Sequence, residues 1–354
     1  MIERYSSKAI SDWRRGPGPD SDVVITSRIR LARNLKSQPF PLLATSSQAG
    51  EVLEELKAVA GSKALASFGH FDTLVLSELN ELEKRVLVEK HLISPTLANE
   101  SRAGAVVLSE NESISIMINE EDHLRIQCIY PGFQIQEGWK MANAIDDCFE
   151  EAVEYAYDEK IGYLTTCPTN VGTGLRASVM MHLPALVITQ QINRILSAVT
   201  QVGLAVRGLY GEGSEALGNI FQVSNQITLG QSEDEIINNL YSVVKQIIEH
   251  ERAARQKLVS ESARRLEDRI RRSYGILSHA VIMDSKEAAQ RLSDVRLGVD
   301  LGILPNVSPH VPNELMIMTQ PGFLQYKYKE KLSAEDRDVK RAELIREHLS
   351  EKSE

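Results

Sequence analysis

The sequence has few cysteines and no long apolar run. Its three cysteines, Cys128, Cys148 and Cys167, form no CxxC pair. An odd number of isolated cysteines argues against a disulfide framework or a zinc site and favours reduced thiols. No stretch approaches the roughly 18 apolar residues of a membrane span, and the N-terminus lacks the apolar segment of a signal peptide. We therefore expect a cytoplasmic protein without a membrane segment.

The sequence also lacks an excess of basic residues. The 354-residue chain has a formal net charge of −9, with 42% hydrophobic and 25% charged residues, which is ordinary for a globular protein. Proteins built to bind nucleic acid are usually basic, so no direct nucleic-acid partner is expected. The length allows two or three domains.

The period of the apolar residues changes along the chain. Helical spacing occurs in 47–60 and 78–92, whereas AGAVVLSE, SISIMIN and HLRIQCIY alternate or run apolar as strands do. Further helices are predicted at 136–158, 187–201 and 233–272, and two further strands at LAVRGL and NIFQVSNQ. The pattern predicts an α+β fold in which helices pack on an antiparallel meander.

The change to a mostly helical pattern predicts a domain boundary near residue 255. We expect an N-terminal lead-in (1–22), a catalytic α+β domain (23–254) and an all-helical C-terminal domain (255–354). The segment 252–272 is rich in arginine. Its basic face serves either partner docking and self-association or simple solvation, and the sequence leaves both open.

Arginines at strand ends and beside a glycine-rich loop predict an anion site. Arg28 and Arg30 are two apart in a strand, so their side chains share one face. Arg125 begins a strand, Arg176 follows the glycine-rich loop, and Arg207 ends a strand. Together, five arginines can neutralise a nucleoside triphosphate with Mg²⁺. The alternative is a set of solvated charges on strand faces.

The glycine-rich segment CPTNVGTGLRAS resembles a phosphate loop without its lysine. Gly172 and Gly174 indicate a backbone that can approach a ligand closely. A cysteine beside arginines has a lowered thiol pKa, so Cys167 is a candidate thiolate. A buried apolar cysteine is the alternative.

Two glutamates are candidates for contacting a cationic partner. Glu121 lies between Glu120 and Asp122 in the turn NEEDHLR, and Glu212 lies in the glycine-flanked loop YGEGSE, which is typical of a closing flap. A guanidinium is protonated at neutral pH, so a carboxylate can orient it and accept its proton. A solvated acidic turn and a plain hairpin loop are the alternatives.

The segments TSRIRLARN, NEEDHLR, CPTNVGTGLRAS and RGLYGEG followed by VSN occur in the order of the signature blocks of the phosphagen (guanidino) kinases. The chain resembles this family, which implies a twisted antiparallel sheet flanked by helices. It also implies transfer of phosphoryl from Mg·ATP to a guanidinium, with Glu121, Glu212 and Cys167 in catalysis. The Mg²⁺ is held through ATP rather than by the protein.

The resemblance also implies which residues contact ATP. They are Ser27, Arg28, Ile29, Arg30, His91, Arg125, Arg176, Ala177, Ser178, Val179, Met180, Arg207, Gly208, Leu209, Tyr210, Gly211 and Glu212.

Two departures from the phosphagen kinases resemble the bacterial protein-arginine kinases. Only 26 residues precede Ser27, too few for the helical domain that closes over a small substrate, and an additional helical domain follows. Glu212 matches a glutamate of the arginine-using members. RDVKRA resembles a motif that binds phosphoarginine allosterically, through Arg337, Asp338, Arg341 and Ala342. The alternative is an exposed helix with an Asp338–Arg341 pair.

The resemblance implies partners as well. They are protein substrates with an exposed arginine, a zinc-binding activator protein, a Clp unfoldase–protease that degrades the marked proteins, a stress-gene repressor as substrate, and further copies of the chain in a homo-oligomer. A kinase of free arginine or of another small guanidino compound is the main alternative. A non-catalytic adaptor that recognises phosphoarginine is another.

Overall fold

The computed structural model describes residues 2–7, 11, 18–208 and 217–351. The helices are α1 (Ile2–Ser7), α2 (Ser46–Ala60), α3 (Lys63–Ala66), α4 (Glu81–Glu89), α5 (Pro95–Glu100), α6 (Ile135–Glu150), α7 (Pro184–Ile188), α8 (Ile192–Gln201), α9 (Glu233–His279), α10 (Ser285–Asp300), α11 (His310–Met318), α12 (Pro321–Tyr328) and α13 (Ala334–Glu351). The strands are β1 (Val24–Arg33), β2 (Phe71–Val75), β3 (Ala105–Ser109), β4 (Ile114–Ile118), β5 (Leu124–Pro131), β6 (Tyr157–Asp158), β7 (Gly162–Tyr163), β8 (Leu175–His182), β9 (Leu204–Gly208) and β10 (Ile220–Asn225).

Eight strands form one sheet in the order β2-β3-β4-β5-β1-β8-β10-β9, and every neighbouring pair is antiparallel. This confirms the predicted α+β class, an antiparallel sheet flanked by helices. The strand β1 lies between β5 and β8, although those strands are distant in the sequence. The short strands β6 and β7 pair separately.

The two faces of the sheet differ in character because side chains alternate along each strand. Ile29, Leu31, Ala177 and Val179 point to one face and are fully buried in the largest apolar cluster, against α6 and α9. The residues between them in β1 and β8, among them Arg28 and Arg30, therefore point to the opposite face. Because the apolar side chains must be buried, they fix the register of the strands. The register in turn determines which side chains lie on the opposite face.

Two predicted helices differ from those in the structure. The helix predicted over 136–158 ends at Glu150, because the chain after it pairs with the segment following β1: Ala156 N donates to Asn34 O at 2.7 Å, and Leu35 forms a bridge with Tyr155. The helix predicted over 187–201 is two helices, α7 and α8, which are separated at Gln190 (φ 59°). Tertiary pairing and a left-handed residue override the apolar period.

The predicted long helix is confirmed as α9, which has one non-helical residue, Ser262 (φ −140°, ψ 28°). Its residues up to Ala254 join the apolar cluster of the sheet, and those from Leu266 join a second, helical cluster. The domain boundary near 255 stays a prediction. Among the residues that the structure describes, none of the helices combines the length and the apolar character that spanning a bilayer requires.

Most arginines of the basic segment 252–272 are paired with carboxylates. Arg269 pairs with Asp294 at 2.9 Å, and Arg271 and Arg272 pair with the acids four residues before them at 2.7 Å. These contacts neutralise much of the predicted basic face, which favours the solvated alternative over a docking surface.

A buried ion pair joins α9 to the rest of the molecule. Glu251 is 0% exposed and accepts hydrogen bonds from the N-terminal backbone of α7, at Ala185 N (3.1 Å) and Leu186 N (3.0 Å). It also accepts from Arg255 Nε at 2.8 Å, and Arg255 Nη2 donates to Asp22 O at 2.9 Å. The pair therefore connects α9 to α7 and to the segment before β1.

We expect Glu251→Ala to lower the free energy of unfolding by about 3–5 kcal/mol, because it removes the closest carboxylate of the buried Arg255 and the acceptor of two buried backbone N–H groups. Urea denaturation measures the change. Glu249 is exposed on the same helix, so Glu249→Ala serves as the control and should shift the value by less than about 0.5 kcal/mol. Equal effects of the two substitutions would contradict the role of the buried pair.

Candidate active site

Strand register brings the predicted arginines to one face of the sheet. Arg30 lies directly opposite Arg176 across β1 and β8, and Arg28 lies opposite Ser178. Arg28 Nε donates to Ser178 Oγ at 3.4 Å. Directly opposed residues in an antiparallel pair point to the same face, so Arg28, Arg30 and Arg176 share the surface opposite the apolar core.

The flanking strands extend this surface, which we call the arginine face, with Arg125 and Arg207. Arg125 on β5 is paired with Ala32, two residues after Arg30. Arg207 on β9 is paired with Gln222, whose Oε1 accepts a hydrogen bond from Arg28 Nη2 at 2.9 Å. The arginine face thus spans five adjacent strands, β5, β1, β8, β10 and β9.

The arginines repel one another in a partly enclosed cleft. A cleft of about 350 Å³ is lined by Arg28, Arg30, Arg125 and His91. Burial, followed by the charges of Arg125 and Arg176, lowers the pKa of Arg28 to about 10. Burial and neighbouring arginines also lower the pKa of Arg30, whose Nε has no hydrogen-bond partner within the described chain. An anion with several charges would relieve both effects.

Glu120 connects the arginine face to the acidic turn. Its Oε1 accepts from Arg125 Nη1 at 2.5 Å and from Ser94 Oγ at 2.5 Å, and its Oε2 accepts from the backbone N of Glu121 at 2.9 Å. The Glu120 side chain is 2% exposed. The alternative of a solvated turn is therefore wrong for Glu120, which fixes Arg125 and Glu121 relative to each other.

Glu121 and Cys167 are in contact. The Cys167 thiol forms a side-chain hydrogen bond with Glu121, and its Sγ lies 3.1 Å from Thr169 Oγ1. Burial raises the pKa of Glu121, Arg125 opposes this effect, and the charges of Asp122 and Glu120 add to it. A carboxyl group with a raised pKa is suited to accept a proton.

Asp122 binds the acidic turn to the loop before Cys167. Its Oδ1 accepts from Thr166 N at 2.6 Å and from Asn34 Nδ2 at 2.7 Å, and the residue is 2% exposed. Burial raises the pKa of Asp122, whereas the hydrogen bond from Thr166 lowers it. The solvated-turn alternative is wrong for Asp122 as well.

Arg33 supports the glycine-rich loop and was not singled out by the sequence analysis. It is 2% exposed, and its Nη1 donates to Thr173 O at 3.0 Å, while Asp146 Oδ2 accepts from its Nη2 at 2.6 Å. A Cβ at Gly174 (φ 63°) would lie 2.5 Å from Arg33 Nη1 and 2.6 Å from Ala32 O. The loop therefore needs glycine there. Arg33 is the third arginine of the segment SRIRLAR, and this pattern could have indicated its role from the sequence.

Four of the predicted ATP-contacting residues have buried side chains on the face of the sheet opposite the arginine face. Ser27, Ile29, Ala177 and Val179 alternate with the arginines, so their side chains lie on the opposite, buried face. That these four residues contact ATP stays a prediction, and only their side chains face away from the arginines. Ser27 Oγ instead donates to Gly132 O at 2.9 Å.

The remaining predicted ATP contacts fall into three groups. Met180 is on the arginine face, two residues after Ser178, and Gly208 ends β9. His91 has a left-handed backbone (φ 61°) just after α4. Leu209, Tyr210, Gly211 and Glu212 lie outside the described residues. Among the described residues, no group of three or more His, Cys, Asp or Glu is placed to hold a metal ion.

The RDVKRA segment lies on α13. Arg341 is 2% exposed, and it donates to Thr319 O at 3.0 Å, Met283 O at 2.9 Å and Asp338 Oδ1 at 2.5 Å. The Asp338–Arg341 pair of the alternative is therefore present, but Arg341 and Ala342 are buried and residues 337–340 are half-buried. Ala342 packs in the second apolar cluster. Arg337, which is half-buried, is the more accessible of the two arginines.

Comparison with known proteins identifies the family. The description "ATP:guanido phosphotransferase, C-terminal catalytic domain" matches residues 51–254, and "Protein-arginine kinase McsB C-terminal domain" matches 263–354. The solved structure of lombricine kinase superposes with a TM-score of 0.57 and 26% identity, covering 71% of this chain and 75% of that one. The fold and the site thus define an ATP:guanido phosphotransferase.

Two relatives show which family of ATP:guanido phosphotransferases the chain belongs to. The protein-arginine kinase of Brevibacillus brevis is 62% identical over 347 residues, which cover 98% of this chain and 97% of that protein. The protein-arginine kinase of Halalkalibacterium halodurans is 61% identical over 348 residues, which cover 98% of each. The chain belongs to the protein-arginine kinase family.

The histidine of the acidic turn predicts a pH-dependent stability. His123 is 1% exposed; its Nδ1 accepts from Leu35 N and its Nε2 lies 3.0 Å from Pro39 O, which it contacts as a donor. Burial lowers the pKa of His123 to about 4. Between pH 6.5 and 4, the unfolded chain therefore binds a proton at His123 that the folded chain does not bind.

We expect the free energy of unfolding to fall by about 2–3 kcal/mol from His123 as the pH drops from 7 to 4.5. Urea denaturation at both pH values measures the loss. His123→Gln should remove most of this pH-dependent loss of stability. The control His250→Gln, at an exposed position, should show the same loss as the unsubstituted protein. An identical pH dependence in all three proteins would contradict the buried neutral imidazole.

Proposed function

We propose that the protein transfers the γ-phosphoryl group of Mg·ATP to arginine side chains of other proteins. The observation that carries this proposal is the connection through Glu120: one buried carboxylate holds Arg125 of the arginine face at 2.5 Å and the backbone of Glu121 at 2.9 Å. An anion site and a carboxylate–thiol pair are therefore adjacent, as phosphoryl transfer to a cationic acceptor requires.

The arginine face is the proposed site of the triphosphate. Arg28, Arg30, Arg125, Arg176 and Arg207 offer guanidinium groups that can pair with phosphate oxygens. The unpartnered Nε of Arg30 and the mutual repulsion of the cluster support an anionic ligand there. Mg²⁺, carried by the phosphates in this proposal, supplies further neutralisation of the transferred group.

Glu121 and Cys167 are the proposed acceptor site. Glu121 orients the incoming guanidinium by accepting its N–H groups and removes one proton from the attacking nitrogen. That nitrogen then forms a bond to the γ-phosphorus, while the bond to the bridging oxygen breaks and ADP leaves. Cys167, in contact with Glu121, lies on the acceptor side. The predicted second carboxylate, Glu212, belongs to the same proposal.

The protein nature of the acceptor rests on the relatives. Both are called protein-arginine kinases, and each match extends over nearly the whole of both chains. A kinase of free arginine uses the same chemistry, so the acceptor must be tested directly.

The direct test offers the purified protein two acceptors, an arginine-rich protein and free arginine, with Mg·ATP. We expect acid-labile phosphate on arginine of the protein, located by mass spectrometry without acidic handling. Phosphate only on free arginine would support the small-guanidino alternative, and phosphate only on Ser, Thr or Tyr would contradict both. Binding of phosphoarginine without any transfer would support the adaptor.

Substitution of the proposed base tests the mechanism. We expect Glu121→Gln to lower kcat by at least about 10²-fold, the range of general-base catalysis, while the melting temperature changes little. The control is Glu137→Gln, at an exposed position on α6, which should keep full activity. Retention of activity by Glu121→Gln would show that another group accepts the proton.

The cellular role follows from the same family. The proposal includes marking of proteins for a Clp unfoldase–protease, a stress-gene repressor among the substrates, a zinc-binding activator protein, assembly into a homo-oligomer and a cytoplasmic location. Allosteric binding of phosphoarginine at RDVKRA is part of it. The accessibility of Arg337 and the burial of Arg341 support Arg337 as the phosphate contact.

A further inference from the structure

A second cleft continues from the arginine face towards the C-terminal helices. It has a volume of about 430 Å³ and shares three lining residues, Glu89, His91 and Gln320, with the cleft of the arginines. The two clefts are therefore neighbours with a common wall. A ligand whose phosphates lie among the arginines can extend past His91 into the second space.

The second cleft has the chemistry of a site for a flat, largely apolar group. It is lined by Met180 and Ile220 from the sheet and by Met316 and Ile317 from α11. Methionine and isoleucine side chains suit the faces of an aromatic ring system. The arginine-lined cleft next to it makes a nucleotide base the fitting occupant.

The wall formed by α11 also offers a polar group for the edge of a base. Asn313 lines the cleft, and its Oδ1 is buried without a hydrogen-bond partner in the described parts of the chain. A carboxamide carries both a donor and an acceptor, which matches the paired acceptor and amino group of adenine. A bound base would supply the hydrogen-bond donor that Asn313 Oδ1 lacks.

The wall is fixed in position by Glu89, two residues before His91. Glu89 accepts hydrogen bonds from the backbone N of Gly322 (2.7 Å) and of Phe323 (2.8 Å), at the start of α12. A Cβ at Gly322 would lie 2.7 Å from the Arg85 side chain and 2.8 Å from Glu89 Oε2. The helices α11 and α12 therefore dock closely on α4, which ends just before His91.

We infer that α11 of the C-terminal region forms one wall of the pocket for the ATP base, with Met316 and Ile317 against the ring and Asn313 at its edge. This inference rests on the proposed function, because it places the triphosphate on the arginine face. It adds that residues outside the match to the ATP:guanido phosphotransferase domain (51–254) determine nucleotide affinity and base selectivity. Docking of α11 and α12 then affects ATP binding directly.

The test compares two methionines on α11. Met316 lines the cleft, and Met318, which is also half-buried, does not. We expect Met316→Ala to weaken Mg·ATP binding about tenfold, the order of magnitude for losing a few methylene groups of ring contact. The Met318→Ala control should bind Mg·ATP as the unsubstituted protein does. Isothermal titration calorimetry measures both dissociation constants.

Tripolyphosphate separates a base contact from general damage to the fold. It has the phosphates of ATP and no base, so its affinity should be equal in all three proteins. If Met316→Ala weakened tripolyphosphate and ATP equally, or weakened neither, the inference would be wrong. These binding measurements do not depend on the acceptor, so absence of arginine phosphorylation would overturn the proposed function and leave this result standing.

A second variant tests the edge contact should Met316→Ala fold poorly. Asn313→Ala should reduce the preference for ATP over GTP about tenfold, because the amide no longer distinguishes their opposite hydrogen-bond patterns. Tripolyphosphate binding should again be unchanged. An unaltered ratio of ATP to GTP affinity in Asn313→Ala, with tripolyphosphate binding intact, would exclude Asn313 from the base site.

Discussion

The repulsion among the arginines of one sheet face is the constraint on which the rest of the structure depends. Arg28 and Arg30 lie beside Arg125 and Arg176, and burial with mutual repulsion lowers the pKa of both. Such a cluster costs free energy without a ligand and stabilises a bound polyanion. On the proposed function, the triphosphate restores this free energy when it binds.

The apolar face of the sheet stabilises the fold and offsets the unfavourable repulsion among the arginines. Its apolar side chains form one cluster with α6 and α9, and their alternation fixes the arginines on the other face. A few buried carboxylates then set the geometry: Glu120 holds Arg125 next to Glu121, and Asp122 holds the turn against the loop that precedes Cys167. Binding and acceptor groups thus share one rigid support.

The sequence predicted the strands of the main sheet except β2 and β8, the long helix, and the common face of Arg28 and Arg30, because these depend on local period. It could not predict that Arg176 lies opposite Arg30, since the register of β1 and β8 depends on pairing between segments nearly 150 residues apart. The burial of Glu120 was missed for a similar reason: its partners Ser94 and Arg125 reach it only in the folded chain. The resemblance supplied the five arginines and Glu121 as a set, without their geometry.

Replacement of one arginine by an apolar residue of similar length shows whether the arginine cluster destabilises the protein without a ligand. Thermal and urea denaturation of Arg30→Met would be compared with the unsubstituted protein, each with and without Mg·ATP. We expect Arg30→Met to be more stable without ligand, by about 1 kcal/mol or more, and to gain much less stability from Mg·ATP. A less stable variant that Mg·ATP stabilises as strongly as the unsubstituted protein would contradict this expectation.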